Sequence, residues 1–227
     1  SLRGLKMHGF VPEDKIDDPD PEGLARGFAN LDRHIANLQG FGQTVVVCFN
    51  RYASDTEDEI DMVRRHCAGL GVGFAVNNAY SEGGRGAEEL ARLVVDTIEH
   101  HPSGPVRFTY QDDRSIESKI ESVARNIYGA GSVTIGKNTR SKIRKLNEMG
   151  LSRFPVCIAK TQYSFSQDST KYGAPEGFNF SIKDVVVNSG AEMIVAIAGD
   201  IIRMPGLPKH PQALNIDIIG GEIEGLS

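Results

Sequence analysis

The sequence predicts an α/β protein, made of parallel-sheet strand–helix units and followed by a second, smaller α/β domain. Three observations carry this. Val45-Val46-Val47-Cys48-Phe49 is an unbroken apolar run rich in β-branched residues, the habit of a strand buried on both faces of a parallel sheet. It breaks into the polar loop Asn50–Asp55, and then Thr56 with Glu59 reads as a capping box that opens a helix. The same order, strand then polar loop then helix, recurs at Phe74-Ala75-Val76 and marks a parallel crossover unit.

Taken in order, residues 1–20 show no period, and Gly9, Pro12, Pro19 and Pro21 mark them as loop. Leu24, Phe28, Leu31, Ile35 and Leu38 then repeat at helical spacing, with Gly40 and Gly42 beyond the end. A strand is expected at 44–49 and a helix at 56–69 carrying Ile60, Val63 and Leu70. The short strand 74–76 leads into a second loop, 77–86, and a helix with Leu90, Leu93, Val94 and Ile98 follows. After the break His100–Pro105, Val106–Tyr110 is expected as a further strand, and Ser115–Tyr128 as an amphipathic helix ended by Gly129. Beyond that boundary come a strand at 133–135, a helix from Arg140 to Met149, and strands at 155–159, 178–187 and 193–198. A rigid turn is expected at Met204–Pro208 and a hairpin around Gly220-Gly221.

With 227 residues the chain can bury a substantial core, and two domains are expected. The net charge of −5, with no basic stripe interleaved with aromatics, argues against nucleic acid as a partner. No apolar run reaches the roughly 20 residues that span a bilayer, so no membrane partner is expected. Cys48, Cys67 and Cys157 lie in apolar segments without metal-like spacing. They are expected to be buried, reduced thiols of a cytoplasmic protein. His100 and His101 lack a third ligand at metal spacing and are read as solvated.

The candidate site follows from the parallel sheet, whose ligands bind at the carboxyl ends of the strands. Both polar loops lie on that edge. Asn50, Arg51 and Asp55 offer an amide, a cation and a carboxylate to a flat heterocycle, while Tyr52 and Tyr80 could form two walls of one slot. Gly83, Gly84 and Gly86 would let the backbone approach a ligand closely, or permit a tight turn. The alternative for Asp55 is that it caps the helix, and for Tyr52 that it covers the sheet edge. Gly131–Lys137 has the spacing of a phosphate-binding loop, but Asn138 stands where Ser or Thr would hold magnesium. The strand expected at 133–135 also falls inside the motif, so it is read as coincidental.

Several segments in their order resemble the C-terminal part of the formate–tetrahydrofolate ligase family. They include Leu5–Gly9, Val45–Arg51, Ser54–Thr56, Gly83-Gly84, Ile127–Ala130, Pro155–Ser164, Gly199-Asp200, Met204–Pro208 and Asn215–Ile218. The resemblance runs from Arg3 to Leu226. It implies a ligase that makes 10-formyltetrahydrofolate from formate, ATP and tetrahydrofolate through formyl phosphate. By the same resemblance, residues 1–32 are the tail of an upstream nucleotide-binding domain, 33–129 an α/β domain with the folate-site loops, and 130–227 a C-terminal α/β domain. Tyr52 and Tyr80 match the two aromatics that hold the pterin in the family, where Phe and Trp are usual, and Ser81-Glu82 stands where a small residue and Lys are usual. Asn50 and Asp55 could reach an adenine edge. Lys160 and the Met204–Pro208 turn are expected to shape a domain interface. ATP, with its magnesium, would be held by the family's upstream phosphate-binding domain, so the chain by itself is not expected to make formyl phosphate. The resemblance also implies a homo-oligomer, or association with a full-length counterpart. The rival expectation is a non-catalytic folate-binding or assembly module.

Overall fold

The computed structural model describes residues 1–201 and 209–225, and the turn expected at Met204–Pro208 lies outside them. The chain opens with α1 (Leu2–His8) and, after a single 3-10 turn at Glu13–Lys15, α2 (Pro21–Gly40). The loop expected over 1–20 is therefore partly helical. Its helix is short and buries Leu2 together with Lys6, and a lysine on the inward face hides the period. Gly27 is what allows α1 to lie so close to α2, since a Cβ there would sit 1.9 Å from the Leu5 carbonyl oxygen. The start of α2 follows its sequence signals, with the Asp20 carboxylate accepting from the Gly23 amide at 2.8 Å and Pro21 in the first turn.

Next come β1 (Val46–Asn50), α3 (Glu57–Gly69) and β2 (Gly73–Asn77), with β1 and β2 paired in parallel from Val46↔Gly73 to Asn50↔Asn77. The capping box forms: the Thr56 hydroxyl accepts from the Glu59 amide and donates to Glu59 Oε2 at 2.9 Å. The expectation that β1 is buried on both faces is corrected, because of its residues only Phe49 is buried and Cys48 is exposed. The sheet has two strands, so a run that reads as central lies at an open edge. The second polar loop is also more regular than expected, folding into α4 (Ala79–Glu82) and a 3-10 turn at Gly83–Ala87 before α5 (Glu88–His100).

No strand forms at Val106–Tyr110. That stretch bonds singly rather than in a ladder: the Arg107 amide donates to Phe41 O at 2.9 Å, and the Tyr110 hydroxyl accepts from the Val156 amide at 2.9 Å. Without a partner strand, β-branched composition alone does not make an extended stretch into a sheet.

The remainder builds one mixed sheet. After α6 (Ile116–Asn126) come β3 (Ser132–Ile135), α7 (Lys137–Glu148), β4 (Val156–Ala159), β5 (Asn179–Asn188) and β6 (Met193–Ala198). The strand order is β3-β5-β6-β4, parallel at both outer pairs and antiparallel between β5 and β6. Its core joins Ile116, Ile120 and Ala124 of α6 to Ile143, Phe180, Ile182 and Ile194, so α6 and β3, on either side of Gly129–Gly131, share one core. A second cluster joins Leu2, Leu24, Phe49, Ile60, Val63 and Cys67. The chain ends in the antiparallel hairpin β7 (Asp217–Ile219) and β8 (Glu222–Glu224). The fold is α/β, with parallel strand pairs in the β1–β2 sheet and in the four-stranded sheet.

Two of the three cysteines correct the expected burial. Cys67 is buried, but Cys48 and Cys157 are exposed, each on the strand face opposite its buried neighbour, Phe49 or Val156. Among the described residues no helix is long and apolar enough to cross a membrane, and no three His, Cys, Asp or Glu side chains come together as a metal-holding group.

Candidate functional site

The parallel pairing of β1 and β2 sets both polar loops side by side. The ladder continues one step past the strands, with the Arg51 amide donating to Asn77 O at 3.2 Å. Beyond that bond the chains part, and a cleft of about 820 Å³ opens between them. Asn50, Arg51, Tyr52 and Ala53 line one side, while Asn78, Tyr80, Ser81 and Glu82 line the other. Four of the residues expected at the site thus meet in one cleft, from loops about 30 residues apart in sequence.

The first loop is held by Asp55. Its carboxylate accepts from the Tyr52 amide at 2.8 Å, and its own amide donates to Tyr52 O at 3.1 Å. Asp55 is not among the cleft-lining residues, and these bonds fix the turn that carries Tyr52. The guanidinium of Arg51 pairs with Glu57 at 2.5 Å. Tyr52 is 45% exposed and Tyr80 86%, so nearly half of the first side chain and most of the second are open to a ligand.

The second loop turns on Asn77 and Gly86. The Asn77 side chain accepts from the Ala79 amide at 3.0 Å and starts α4. The Asn78 amide donates to Gly86 O at 2.9 Å, and a Cβ on Gly86 would lie 2.4 Å from the Asn78 carbonyl oxygen. Gly86 is therefore the glycine whose close approach shapes this loop. Gly83 has φ of 61°, a conformation that favours glycine, and Gly84 meets nothing within 4 Å. Neither lines the cleft. Asn78 was not singled out from sequence, and Ser81 and Glu82 were noted only as departures from the family pattern, not as site residues. The usable signal was their position just beyond the end of β2.

The phosphate-like spacing at Gly131–Lys137 does not form a cradle. β3 occupies its middle, and α7 begins only at Lys137. The residues present do not fit an ATP phosphate chain with its magnesium.

Away from the cleft, Lys160, the residue after β4, is partly buried. Its ammonium donates to Thr161 O at 3.0 Å and to Ser164 O, and lies 4.8 Å from the centre of the Tyr128 ring. Burial pulls its pKa down to about 8. His8 is partly buried, and its Nδ1 accepts from the Gly173 amide at 3.2 Å. Burial and then the neighbouring His34 lower its pKa.

Comparison with known proteins places this geometry in a family. The family profile described as formate–tetrahydrofolate ligase matches residues 1–227. The chain is 61% identical over 227 residues to the formate–tetrahydrofolate ligase of Bacteroides thetaiotaomicron, covering all of this chain and 41% of that protein. It is 53% identical to the enzyme of that name from Porphyromonas gingivalis, again over 41% of its length. With the Campylobacter concisus protein of the same name it is 46% identical over 229 residues. The chain thus spans about two fifths of the length of the curated relatives it matches. Over that span, the chain belongs to the formate–tetrahydrofolate ligase family.

Proposed function

We propose that this chain supplies the pterin slot of a formate–tetrahydrofolate ligase, the enzyme that joins formate to tetrahydrofolate at the expense of ATP. The observation that carries the reading is the shared cleft, in which Tyr52 and Tyr80 stand on adjacent loops of parallel strands. Two exposed phenol rings on one cleft offer π-faces to a planar bicycle. Asn50 at the same edge is exposed and able to meet a ring edge of pterin or adenine.

Phosphoryl transfer requires cations and magnesium set against the transferring oxygens. The only phosphate-like spacing in this chain is interrupted by β3. The reading therefore assigns formyl phosphate formation to parts of the ligase outside these residues. The purified chain is expected to bind tetrahydrofolate, with quenching of tyrosine fluorescence, but to release no ADP when given formate, ATP and tetrahydrofolate. ADP release dependent on both formate and tetrahydrofolate would overturn that division of labour. Folate binding without turnover also fits a stand-alone binding module, which full activity on adding the rest of the ligase would exclude.

A further inference from the structure

The cleft between the two strand-end loops contains one charge that forms no ion pair among the described residues. Arg51 also lines it, but its guanidinium is taken up by Glu57. Glu82 is the last residue of α4, exposed and lining the cleft beside Tyr80. Among the described residues no cation lies within ion-pair distance of its carboxylate, Arg85 in the following turn included. Its position at the carbonyl end of a helical turn is one where negative charge is disfavoured, so its own loop does not account for it.

We propose that the Glu82 carboxylate recognises the donor edge of the bound ligand, accepting two hydrogen bonds from the 2-amino group and the adjacent ring N–H of a 2-amino-4-oxo heterocycle. The inference rests on the reading of the cleft as a pterin slot and adds to it the part of the ring that is read. An ionised carboxylate only accepts, and its two oxygens match two neighbouring N–H groups. The other polar groups of the cleft discriminate less. The amides of Asn50 and Asn78 can donate or accept, and the Ser81 hydroxyl already donates to Asn78 O at 3.3 Å. With one tyrosine from each loop and one acceptor-only group lining it, the cleft favours a flat ligand with adjacent donors.

The test compares tetrahydrofolate with its 2-desamino-2-methyl counterpart, titrated against the full chain by isothermal calorimetry. The unmodified chain is expected to bind the desamino ligand at least about tenfold more weakly, the loss of about 1.4 kcal/mol of donor contact. Glu82→Gln, a change at an exposed position, is expected to weaken tetrahydrofolate binding by about tenfold and to remove the discrimination. If Tyr80→Ala abolishes binding of both ligands while Glu82→Gln leaves the discrimination intact, the slot stands and the role of Glu82 is refuted. If the unmodified chain binds neither ligand, or Tyr80→Ala changes neither affinity, the slot itself is refuted and the role of Glu82 with it.

Discussion

Lys6 Nζ lies 2.8 Å from Glu59 Oε1, and both side chains are 2% exposed. The pair ties α1 to the start of α3, directly behind the loop that carries Tyr52. Its remaining hydrogen-bonding capacity is used as well. Lys6 donates to Asp18 O at 2.7 Å, and Glu59 accepts from the Asp20 amide at 2.9 Å and from the Thr56 hydroxyl. Removing one member strands a buried charge. Lys6→Met or Glu59→Leu alone is expected to cost about 3–5 kcal/mol in urea unfolding, and the double replacement less than either single change.

The same pair sets an acid limit. Burial pushes the Glu59 carboxyl up, but the hydrogen bonds from Lys6, Asp20 and Thr56 and the Lys6 charge outweigh it and hold it below its ordinary 4.5. A carboxyl with a lowered folded pKa contributes stability that is complete above the unfolded value and is lost as pH falls through the folded one. The midpoint of unfolding is therefore expected to drop below about pH 4.5, and Glu59→Gln is expected to flatten that limb while lowering stability at pH 7.

His8 and His34 act in the same direction at milder acidity. Burial lowers both, aided by His34 at His8 and by Lys160 at His34. Between the folded values and the ordinary 6.5 the unfolded chain binds more protons, so stability falls as pH drops below 6.5. A protonated His8 also loses the Nδ1 acceptor that holds the Gly173 amide. The variant His8→Asn with His34→Gln is expected to unfold with a weaker pH dependence between 6.5 and the acid limit, as read by thermal melting.

Lys160 acts in the same direction at alkaline pH. Its pKa is lowered from 10.5 to about 8, so between those values the unfolded chain holds the extra proton and stability rises with pH. Reductive ¹³C-methylation followed by NMR is expected to show one lysine resonance titrating near 8. Titration of every lysine near 10.5 would contradict the burial described for it.

Thiol labelling checks which strand faces are open. Cys48 and Cys157 are exposed, whereas Cys67 is buried and its thiol is pushed up, first by burial and then by Asp32. Two thiols are expected to react rapidly with an aromatic disulfide in the folded chain, and the third only on unfolding.

The sequence was most legible where local chemistry decides the structure. Thr56 with Glu59 forms a cap whose partner is three residues away, and α3 starts where those residues predict. The cleft was legible for a related reason, since strand, loop and helix twice in succession place both loops on one edge. What the sequence hid depended on distant partners. α1 is held by α2 and by an ion pair to Glu59, 53 residues beyond Lys6. Val106–Tyr110 has strand composition but no strand beside it. The apolar run at β1 does not reveal that its sheet contains only two strands. Glu82 was visible as a residue, but its lack of a cation could be seen only once Arg51 was found paired with Glu57.

The account depends most on Tyr52 and Tyr80 acting together on one planar ligand. Calorimetric titration of tetrahydrofolate into the unmodified chain, Tyr52→Ala, Tyr80→Ala and the double variant tests this directly. Each single change is expected to weaken binding about tenfold or more, and the double change by less than the product of the two, because a ring stacked on both sides loses its order once either wall is gone. Affinity unchanged in both single variants, with helical content preserved, would contradict it.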